Sequence, residues 1–272
     1  MTDNKTLTLN YKECGSSELK DLKIDLSEKE YEFFFDEKKI VIKSEFLTEE
    51  SNGLIIKETF FCDKKVDDVH RYNLMYEFGE WVLKNPKSRR SCKKEVDKHD
   101  VKIEERSESN NVLIILESPH KNEYKYDEGE LTPMSPAKGK TGKNFHSCFI
   151  TQVLSILKSL KLILDKEKSY SICFVNPVPF QTSLFYIHKK GLHQALRNKV
   201  WRTLYPECKK NFKERVVSYK PVFILNGCTR DLKEDVEDTI KDIKNIKIFS
   251  ISHPSSWGVL VYGFTERLIL NS

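Results

Sequence analysis

Four short apolar runs recur in the C-terminal part of the chain, and β-branched, leucine and aromatic residues dominate them. The runs are Val112–Leu116, Tyr170–Val175, Val222–Leu225 and Ile246–Ile251. Near-continuous apolar runs of this length are typical of strands in a parallel sheet that is covered on both faces. The pattern therefore predicts buried, parallel strands at these positions.

The segments between these runs carry apolar residues at spacings of three and four, which places those residues on one face of a helix. The residues are Phe149, Val153, Ile156, Leu157, Leu160, Ile163 and Leu164 in the first segment; Leu192, Leu196, Val200 and Leu204 in the second; and Leu232, Val236, Ile240 and Ile243 in the third. Right-handed crossovers between parallel strands give helices on both faces of the sheet. We therefore predict a three-layer α/β/α fold with a central parallel four-stranded sheet.

The first third of the chain has a different pattern. Tyr31–Phe35, Ile40–Ile42 and Gly53–Ile56 indicate short strands, which we expect to be antiparallel because their connections are too brief for crossover helices. Apolar residues from Val66 to Val82 predict one amphipathic helix, stopped by Pro86. Residues 1–86 are thus predicted to form a small N-terminal α+β module.

Residues 87–110 are crowded with charge and have hardly any apolar residue to bury. They are predicted to be a charged linker that leads to a larger domain at residues 111–272. Basic pairs such as Arg89-Arg90 and Lys93-Lys94 could also follow a DNA backbone, although a solvated connection is the default interpretation.

Composition narrows the class of protein further. Hydrophobic residues make up 39% of the 272 residues and charged residues 32%, which is typical of a soluble globular chain. No apolar stretch approaches the ~20 residues that cross a bilayer, and the polar start lacks the apolar core of a signal peptide, so we expect a cytoplasmic protein without membrane contact. The seven cysteines are scattered without a Cys-x-x-Cys pair, which indicates neither disulfides nor a metal site. A net charge of +5 suits a polyanion partner or merely a solvated surface.

Polar residues follow each of the four predicted strands. They are Glu117-Ser118-Pro119-His120-Lys121-Asn122-Glu123-Tyr124, Asn176-Pro177-Val178-Pro179-Phe180-Gln181, Asn226-Gly227-Cys228 and Ser252-His253-Pro254-Ser255-Ser256-Trp257. In an open parallel sheet, ligands bind beyond the carboxyl ends of the strands. We therefore expect these residues to converge on one site.

The order of these strand-end residues resembles that of the uracil-DNA glycosylase superfamily. A carboxylate and a proline follow the first strand, an asparagine follows a later one, and a His-Pro-Ser loop follows the last. The resemblance covers about residues 111–270, while the N-terminal third matches no family that we can name. It implies a monofunctional DNA glycosylase that flips a nucleotide out of DNA, hydrolyses its N-glycosidic bond and leaves an abasic site. It also implies DNA as the partner and no cofactor, and we expect a monomer.

The first catalytic residue that the resemblance implies is Glu117. It is similar to the glutamate of the glycine-glutamate-alanine-proline motif in the thermophilic branch, although the four cysteines that hold that branch's iron-sulfur cluster are missing here. A carboxylate stabilises positive charge on the sugar and orients water. The best-known branch has an aspartate directly before the proline, where this chain has Ser118, so Glu123 and Asp127 are alternatives. A carboxylate that caps the next helix or loop is the structural alternative for Glu117.

Two further catalytic residues follow from the resemblance. Asn176 matches the asparagine that reads the flipped base, since an amide offers a donor and an acceptor to a Watson–Crick edge. His253 matches the histidine that bonds the base oxygen on which negative charge gathers. The structural alternatives are a turn-forming asparagine before proline and an ordinary structural histidine.

The resemblance also implies residues around the base and along the DNA. The expected base-pocket residues are Ser118, Pro119, His120, Phe145 and Phe180, and the expected DNA-binding residues are Lys138, Lys140, Lys143, Ser255, Ser256 and Trp257. Lysines and a helix N-terminus can hold phosphates. Pro136-Ala137 replaces the family's stacking aromatic, for which Phe145, Tyr126 and Phe180 are substitutes. Trp257 is either a wedge in the duplex or a core residue.

The residue after the motif proline bears on the substrate. The best-known branch has a tyrosine there that excludes a 5-methyl group, whereas this chain has His120 and a polar run up to Tyr124. Buried polar groups need partners, which a polar adduct on the base could supply. We therefore predict that cytosine with a bulky polar group at position 5 is excised faster than uracil, as for bacterial antiphage glycosylases; alternatively, the run faces water or DNA phosphates. A hydrolase of free nucleosides or nucleotides and a non-catalytic nucleic-acid-binding module are the competing function classes.

Overall fold

The structure of this chain is a computed structural model that describes residues 5–13, 15–34, 43–50, 53–87, 100–103, 110–159, 163–188, 191–257 and 267–269. The described chain is a mixed α/β protein with several sheets. It divides into two compact units. The first unit comprises Met1–Val66, Ser118–Pro133 and Val178–Lys210, and the second comprises Asp67–Glu117, Met134–Pro177 and Asn211–Ser272.

The secondary structure alternates between short strands and helices along the chain. The strands are β1 (Lys5–Lys12), β2 (Leu19–Leu26), β3 (Leu47–Glu50), β4 (Gly53–Ile56), β5 (Val69–Glu77), β6 (Glu80–Lys84), β7 (Val101–Lys102), β8 (Asn111–Ile115), β9 (Tyr124–Asp127), β10 (Glu130–Pro133), β11 (Tyr170–Val175), β12 (Pro221–Asn226), β13 (Lys247–Ser250) and β14 (Arg267–Ile269). The α-helices are α1 (Glu28–Phe34), α2 (Lys43–Phe46), α3 (Glu58–Cys62), α4 (Lys140–Ser159), α5 (Gln194–Ser218) and α6 (Arg230–Ile240). Short 3-10 helices lie at Lys121–Glu123 and Pro254–Ser256.

The second unit contains the strands that the apolar runs predicted. Its eight-stranded sheet has the order β14-β13-β12-β8-β11-β5-β6, and β7 pairs with β5. The strands β13, β12, β8 and β11 pair in parallel, and every residue of β8 and β11 is buried. Antiparallel β14 and β5 extend this group at its two edges. The predicted parallel sheet of four strands between two layers of helices is therefore not confirmed, because the sheet is larger and mixed.

The first unit holds a four-stranded sheet with the order β2-β1-β4-β3 and the hairpin of β9 and β10. Alternate residues of β1 are buried, namely Leu7, Leu9 and Tyr11, so one face of this sheet packs on a core. The strand predicted at Gly53–Ile56 is confirmed as β4. It pairs in parallel with β1 and antiparallel with β3, so the expected antiparallel pairing holds on one side only.

The strand predicted at Tyr31–Phe35 is wrong, because its described residues lie in α1. Ser27 and Glu30 explain the difference. The Glu30 carboxylate accepts from the Ser27 backbone N–H at 2.8 Å, and the Ser27 hydroxyl accepts from the Glu30 N–H at 3.3 Å. This reciprocal capping box starts a helix, and it outweighs the strand preference of the aromatic residues that follow. The strand predicted at Ile40–Ile42 lies outside the described residues.

The helix predicted from Val66 to Val82 is also wrong, because this segment forms the hairpin of β5 and β6. Phe78 and Gly79 both have positive φ, 51° and 90°, which is the backbone of a tight hairpin turn. The apolar residues on either side of this turn recur at helical spacing, which explains why the sequence pattern predicted a helix. The hairpin joins the sheet of the second unit through β11, so residues 69–84 do not belong to a separate N-terminal sheet.

The helices predicted between the apolar runs are confirmed as α4, α5 and α6. Each prediction reached past the helix: Ile163 lies beyond α4 and is 89% exposed, Leu192 precedes α5, and Ile243 follows α6. Of the predicted linker, residues 88–99 and 104–109 lie outside the described part of the chain. Within that described part, no helix has both the length and the apolar character needed to cross a bilayer.

One buried cation organises the segment that precedes α4. The Arg71 side chain, 2% exposed, donates to both carboxylate oxygens of Asp100, at 2.8 and 3.1 Å, and to the Ala137 carbonyl at 2.7 Å. It also donates to the Pro136 carbonyl, and its guanidinium lies 5.0 Å from the centre of the Phe174 ring. Arg71 therefore fixes the backbone that leads into the lysine-bearing start of α4.

We predict that Arg71→Met lowers the free energy of unfolding by about 3–5 kcal/mol, because the change removes the cation that donates to both oxygens of the largely buried Asp100 carboxylate. Lys241→Met serves as the control, since Lys241 pairs with Asp238 where both side chains are more than half exposed, and its loss should leave stability almost unchanged. Urea unfolding followed by circular dichroism measures both variants. Equal stability of the two would contradict the proposed role of Arg71.

Candidate functional site

The carboxyl ends of the four parallel strands lie at one edge of the sheet in the second unit. Glu117 comes two residues after β8, Asn176 directly follows β11, Gly227 directly follows β12, and His253 comes three residues after β13. These residues therefore lie at the same edge of the sheet, as the parallel pairing of the four strands requires.

Backbone hydrogen bonds continue the sheet past the strand ends. They run from Leu116 N to Val175 O at 3.0 Å, from Gly227 N to Ile115 O at 2.9 Å and from Ile251 N to Asn226 O at 2.9 Å. A Cβ atom at Gly227 would lie 3.2 Å from the Ile115 carbonyl oxygen and 3.2 Å from Pro254 Cδ. Glycine therefore allows the loop after β12 to pack closely against the end of β8 and against the His253 loop.

Glu117 is 5% exposed and contacts the start of α6. Its Oε1 atom accepts from the Thr229 backbone N–H at 2.8 Å, and the Thr229 side chain itself makes no capping bond to that helix. A negative charge is favourable at a helix N-terminus. The contact is the capping role that the sequence left as the alternative, and the same carboxylate could also stabilise a developing positive charge.

The thiol of Cys228 lies next to this carboxylate. Cys228 is 1% exposed, and its Sγ atom donates to the Leu116 carbonyl at 2.9 Å. Burial raises the pKa of the thiol well above its ordinary value, and the negative charge of Glu117 raises it further. Cys228 is therefore a protonated donor within the strand-end region.

Asn176 is the most unusual polar residue at this edge. It is 1% exposed, and neither Oδ1 nor Nδ2 of its side-chain amide has a hydrogen-bond partner. Leaving a buried polar group unsatisfied costs about 1–3 kcal/mol, so such groups call for an explanation such as a ligand or an ordered water. The turn-forming role of an Asn-Pro dipeptide does not require the amide to be buried in this way.

The backbone of Asn176 is held on both sides by a buried ion pair. Asp68 Oδ1 accepts from the Asn176 N–H at 3.3 Å, and Arg215 Nη2 donates to the Asn176 carbonyl at 3.0 Å. Arg215 and Asp68 bond each other, and the Tyr219 hydroxyl donates to Asp68 at 3.0 Å. Burial alone would lower the pKa of Arg215, but the Asp68 carboxylate outweighs burial and raises it.

The His253 ring is fixed within its own loop. The Ser255 backbone N–H donates to Nδ1 at 3.2 Å, and the Ser255 hydroxyl lies 2.7 Å from the same atom. Because a backbone N–H can only donate, Nδ1 is the acceptor and the proton of the neutral ring is on Nε2. The Ser256 hydroxyl donates to the His253 carbonyl at 2.7 Å. His253 could therefore present an N–H donor of defined orientation.

The predicted aromatic residues of the second unit are core residues. Trp257 is 3% exposed and stacks on Phe145, which is fully buried, with 5.6 Å between the ring centres. The Trp257 indole N–H donates to the Ser252 carbonyl at 3.0 Å. These contacts agree with the alternative that Trp257 is a core residue, because a side chain that enters the DNA duplex would have to leave the core.

The predicted lysines differ in their surroundings. Lys140 and Lys143 are exposed in the first turn of α4, where a helix N-terminus favours anions. The Lys138 side chain is 12% exposed, with its Nζ atom 3.8 Å from Asp100 Oδ2. Lys140 and Lys143 are therefore better placed than Lys138 to meet a phosphate.

The remaining predicted pocket residues belong to the first unit. Ser118 Oγ lies 2.8 Å from Thr182 Oγ1, Pro119 is buried, and Phe180 packs edge-on against Tyr11. His120 is exposed at the start of a 3-10 helix, and desolvation by neighbouring atoms, followed by the charge of Lys121, lowers its pKa. The structure thus places Ser118, Pro119, His120 and Phe180 in one unit and Phe145 in the other.

The alternative carboxylates and aromatic residue also belong to the first unit. Glu123 is 3% exposed, whereas Asp127 is exposed and pairs with Lys125 at 2.7 Å in the β9–β10 hairpin. Tyr126 is 40% exposed, with its ring centre 6.0 Å from that of Tyr186. None of these three is a strand-end residue of the second unit.

Comparisons with protein-family models, with curated proteins and with solved structures find no match for this chain. The strand-end residues and their contacts therefore carry the functional inference. No sequence pattern indicated Asp68 or Arg215, since Asp68 lies within the misassigned segment from Val66 to Val82 and Arg215 is one of many basic residues in α5.

We predict that Cys228 reacts with iodoacetamide at pH 8 at least about tenfold more slowly than the half-buried Cys62 and Cys148, because each unit by which the pKa rises lowers the thiolate fraction tenfold. Mass spectrometry of peptides from the native protein, sampled over time, measures the three rates. Rapid modification of Cys228 in the folded protein would contradict the buried, protonated thiol.

Proposed function

We propose that this protein is a DNA glycosylase of the uracil-DNA glycosylase type, with the parallel strands of the second unit at the centre of a three-layer α/β/α domain. The reaction is hydrolysis of the N-glycosidic bond of a flipped nucleotide, which leaves an abasic site. One observation carries the proposal. The buried amide of Asn176, without a partner, lies at the sheet edge that Glu117 and His253 share.

Asn176 is proposed to read the base. Its amide offers one acceptor and two donor hydrogens, which suits a nucleobase edge that also presents both kinds of group. The flipped base would satisfy Oδ1 and Nδ2 together and would remove the cost of leaving them buried and unpaired.

Glu117 and His253 are proposed to stabilise the charges that develop as the bond breaks. The sugar gains positive charge, which the Glu117 carboxylate would offset while it orients the attacking water. The base gains negative charge, which the Nε2–H of His253 would stabilise by donation. Glu117 therefore acts on the sugar and His253 on the base, the two groups that the N-glycosidic bond joins.

DNA is the proposed partner because Lys140 and Lys143 are exposed in the first turn of α4. For the base itself, we propose a cytosine with a bulky polar group at position 5, since His120 stands where the best-known branch excludes a 5-methyl group. His120 and Asn122 are both exposed, which also agrees with the alternative that their side chains face water or DNA phosphates.

The function is tested by incubating the protein with three genomic DNAs that carry normal, uracil-containing or glucosylated hydroxymethylcytosine bases, and by counting alkali-labile abasic sites. We expect the most sites in the DNA with the bulky polar group. Efficient release of uracil alone would restore a repair function. Release of bases from nucleosides only would favour a nucleoside hydrolase, and DNA binding without release would favour a binding module.

We predict that Glu117→Gln reduces base release about a hundredfold or more while DNA binding persists. The glutamine keeps an oxygen that can accept from the Thr229 N–H and loses only the charge, which is worth about 3–4 kcal/mol in the transition state. Asp242→Asn is the matched control, because it removes a charge at an exposed pair. Single-turnover rates decide, and full activity of Glu117→Gln would assign the chemistry to another carboxylate.

We also predict that His253→Ala slows base release strongly and that the loss shrinks as the departing base becomes a better leaving group, because less charge then needs stabilisation. Rates on a series of 5-substituted pyrimidines in identical DNA measure this trend. The same fractional loss on every base would indicate a structural role for His253.

A further inference from the structure

The backbone of Asn176 is satisfied in an unusual way. The peptide N–H and C=O groups that close a strand are ordinarily paired by neighbouring backbone or by water. At Asn176 the N–H meets the Asp68 carboxylate and the C=O meets the Arg215 guanidinium, and both charged groups come from distant parts of the chain. Asp68 directly precedes β5, and Arg215 lies near the end of α5.

The guanidinium of Arg215 is fixed by contacts at each of its three nitrogen atoms. Nε donates to Asn211 Oδ1 at 2.9 Å, Nη1 donates to Asp68, and Nη2 donates to the Asn176 carbonyl. The planar fork of an arginine makes such a set of bonds directional, which a lysine cannot reproduce. The Asp68 and Arg215 side chains are 3% and 15% exposed, so their position is set by protein contacts.

A buried ion pair is a poor way to gain stability, because desolvation of the two charges offsets much of their attraction. A hydrophobic pair would satisfy the fold as well, but it would leave the two backbone groups of Asn176 without partners. The contacts are therefore better explained by what they fix, which is the peptide unit that carries the unpartnered amide.

We infer that Asp68 and Arg215 are positioning residues that clamp the backbone of Asn176 and so hold its buried amide in one orientation, in which a ligand can bond it. Pro177 contributes, because the residue before a proline is restricted to extended conformations. The Tyr219 hydroxyl also donates to Asp68 and so helps to hold the carboxylate in place. The clamp contacts no substrate itself and acts only through Asn176. This inference rests on the proposed function for its effect on base release but not for its effect on the amide.

The decisive variant is the double change Asp68→Asn/Arg215→Met, which removes the donor to the Asn176 carbonyl without leaving a single buried charge unpaired. Tyr219→Phe is a milder variant that removes the hydroxyl bonded to Asp68 and keeps both charged residues of the clamp. Lys213→Met is the matched control, because Lys213 lies on the same helix and pairs at 2.8 Å with Asp242, where both side chains are exposed.

The amide is observed directly by NMR of protein labelled with ¹⁵N at asparagine, in which the side-chain NH₂ signals of Asn176 are identified by their loss in Asn176→Ala. We expect the double change to shift, split or broaden these signals, Tyr219→Phe to alter them less, and Lys213→Met to leave them unchanged. Unaltered Asn176 signals in a folded double variant would overturn the inference, whether or not the protein releases bases.

Base release supplies the second measurement. Misplacing a reacting or binding group by about 1 Å can cost a hundredfold in rate, so we expect the double change to slow single-turnover release by about tenfold to a hundredfold. In the Asn176→Ala background the same change should cost less than about twofold, because its target is already gone. Equal losses in both backgrounds would indicate a general structural role and overturn the inference. Absence of release by the unaltered protein on every DNA would refute the proposed function, and the NMR result would still decide the clamp.

Discussion

Parallel pairing of β8, β11, β12 and β13 brings four strand ends to one edge, where the sheet's backbone hydrogen bonds run out and buried polar groups need other partners. The second unit supplies different hydrogen-bond partners at the carboxyl end of each strand. Backbone bonds extend the sheet by one or two residues, Glu117 takes the N–H at the start of α6, and Asp68 with Arg215 takes both backbone groups of Asn176. The side-chain amide of Asn176 is buried there with neither of its polar atoms bonded.

The unpartnered amide is physically informative because the backbone of the same residue is bonded on both sides. A buried amide without partners in a loosely organised loop would indicate little, since the loop could rearrange to reach water. Here two charged side chains fix the backbone on either side of it. The amide is therefore restricted in orientation. A ligand group with both a donor and an acceptor would remove the free-energy cost of burying its two polar atoms without hydrogen bonds.

Sequence patterns predicted the second unit better than the first. The buried strands β8 and β11 were predictable because an uninterrupted apolar run of five or six residues is typical of a fully buried strand in an α/β chain. The β5–β6 hairpin was not, because its apolar residues fall at helical spacing and only Gly79 marks the turn. In the first unit, the capping bonds of Ser27 with Glu30 decided α1 against the strand preference of the aromatic residues that follow.

The candidate site was predictable in part for a similar reason. Strand-end residues such as Glu117, Asn176 and His253 are adjacent in sequence to the runs that reveal them. Asp68 and Arg215 are separated by 147 positions, and their pairing depends on how β5 and α5 pack, which no local pattern contains. The burial of Trp257 likewise depends on its stacking against Phe145, which lies more than a hundred residues earlier.

The central claim is that the Asn176 amide receives a nucleobase. The most direct measurement is a crystal structure of the protein with DNA that carries a 2′-fluoro nucleotide, whose electron-withdrawing fluorine slows cleavage by destabilising the sugar cation. We predict that the flipped base lies with its hydrogen-bonding edge about 3 Å from both Oδ1 and Nδ2 of Asn176. A bound base elsewhere, with the amide still without a partner or bonded only to protein, would contradict the claim.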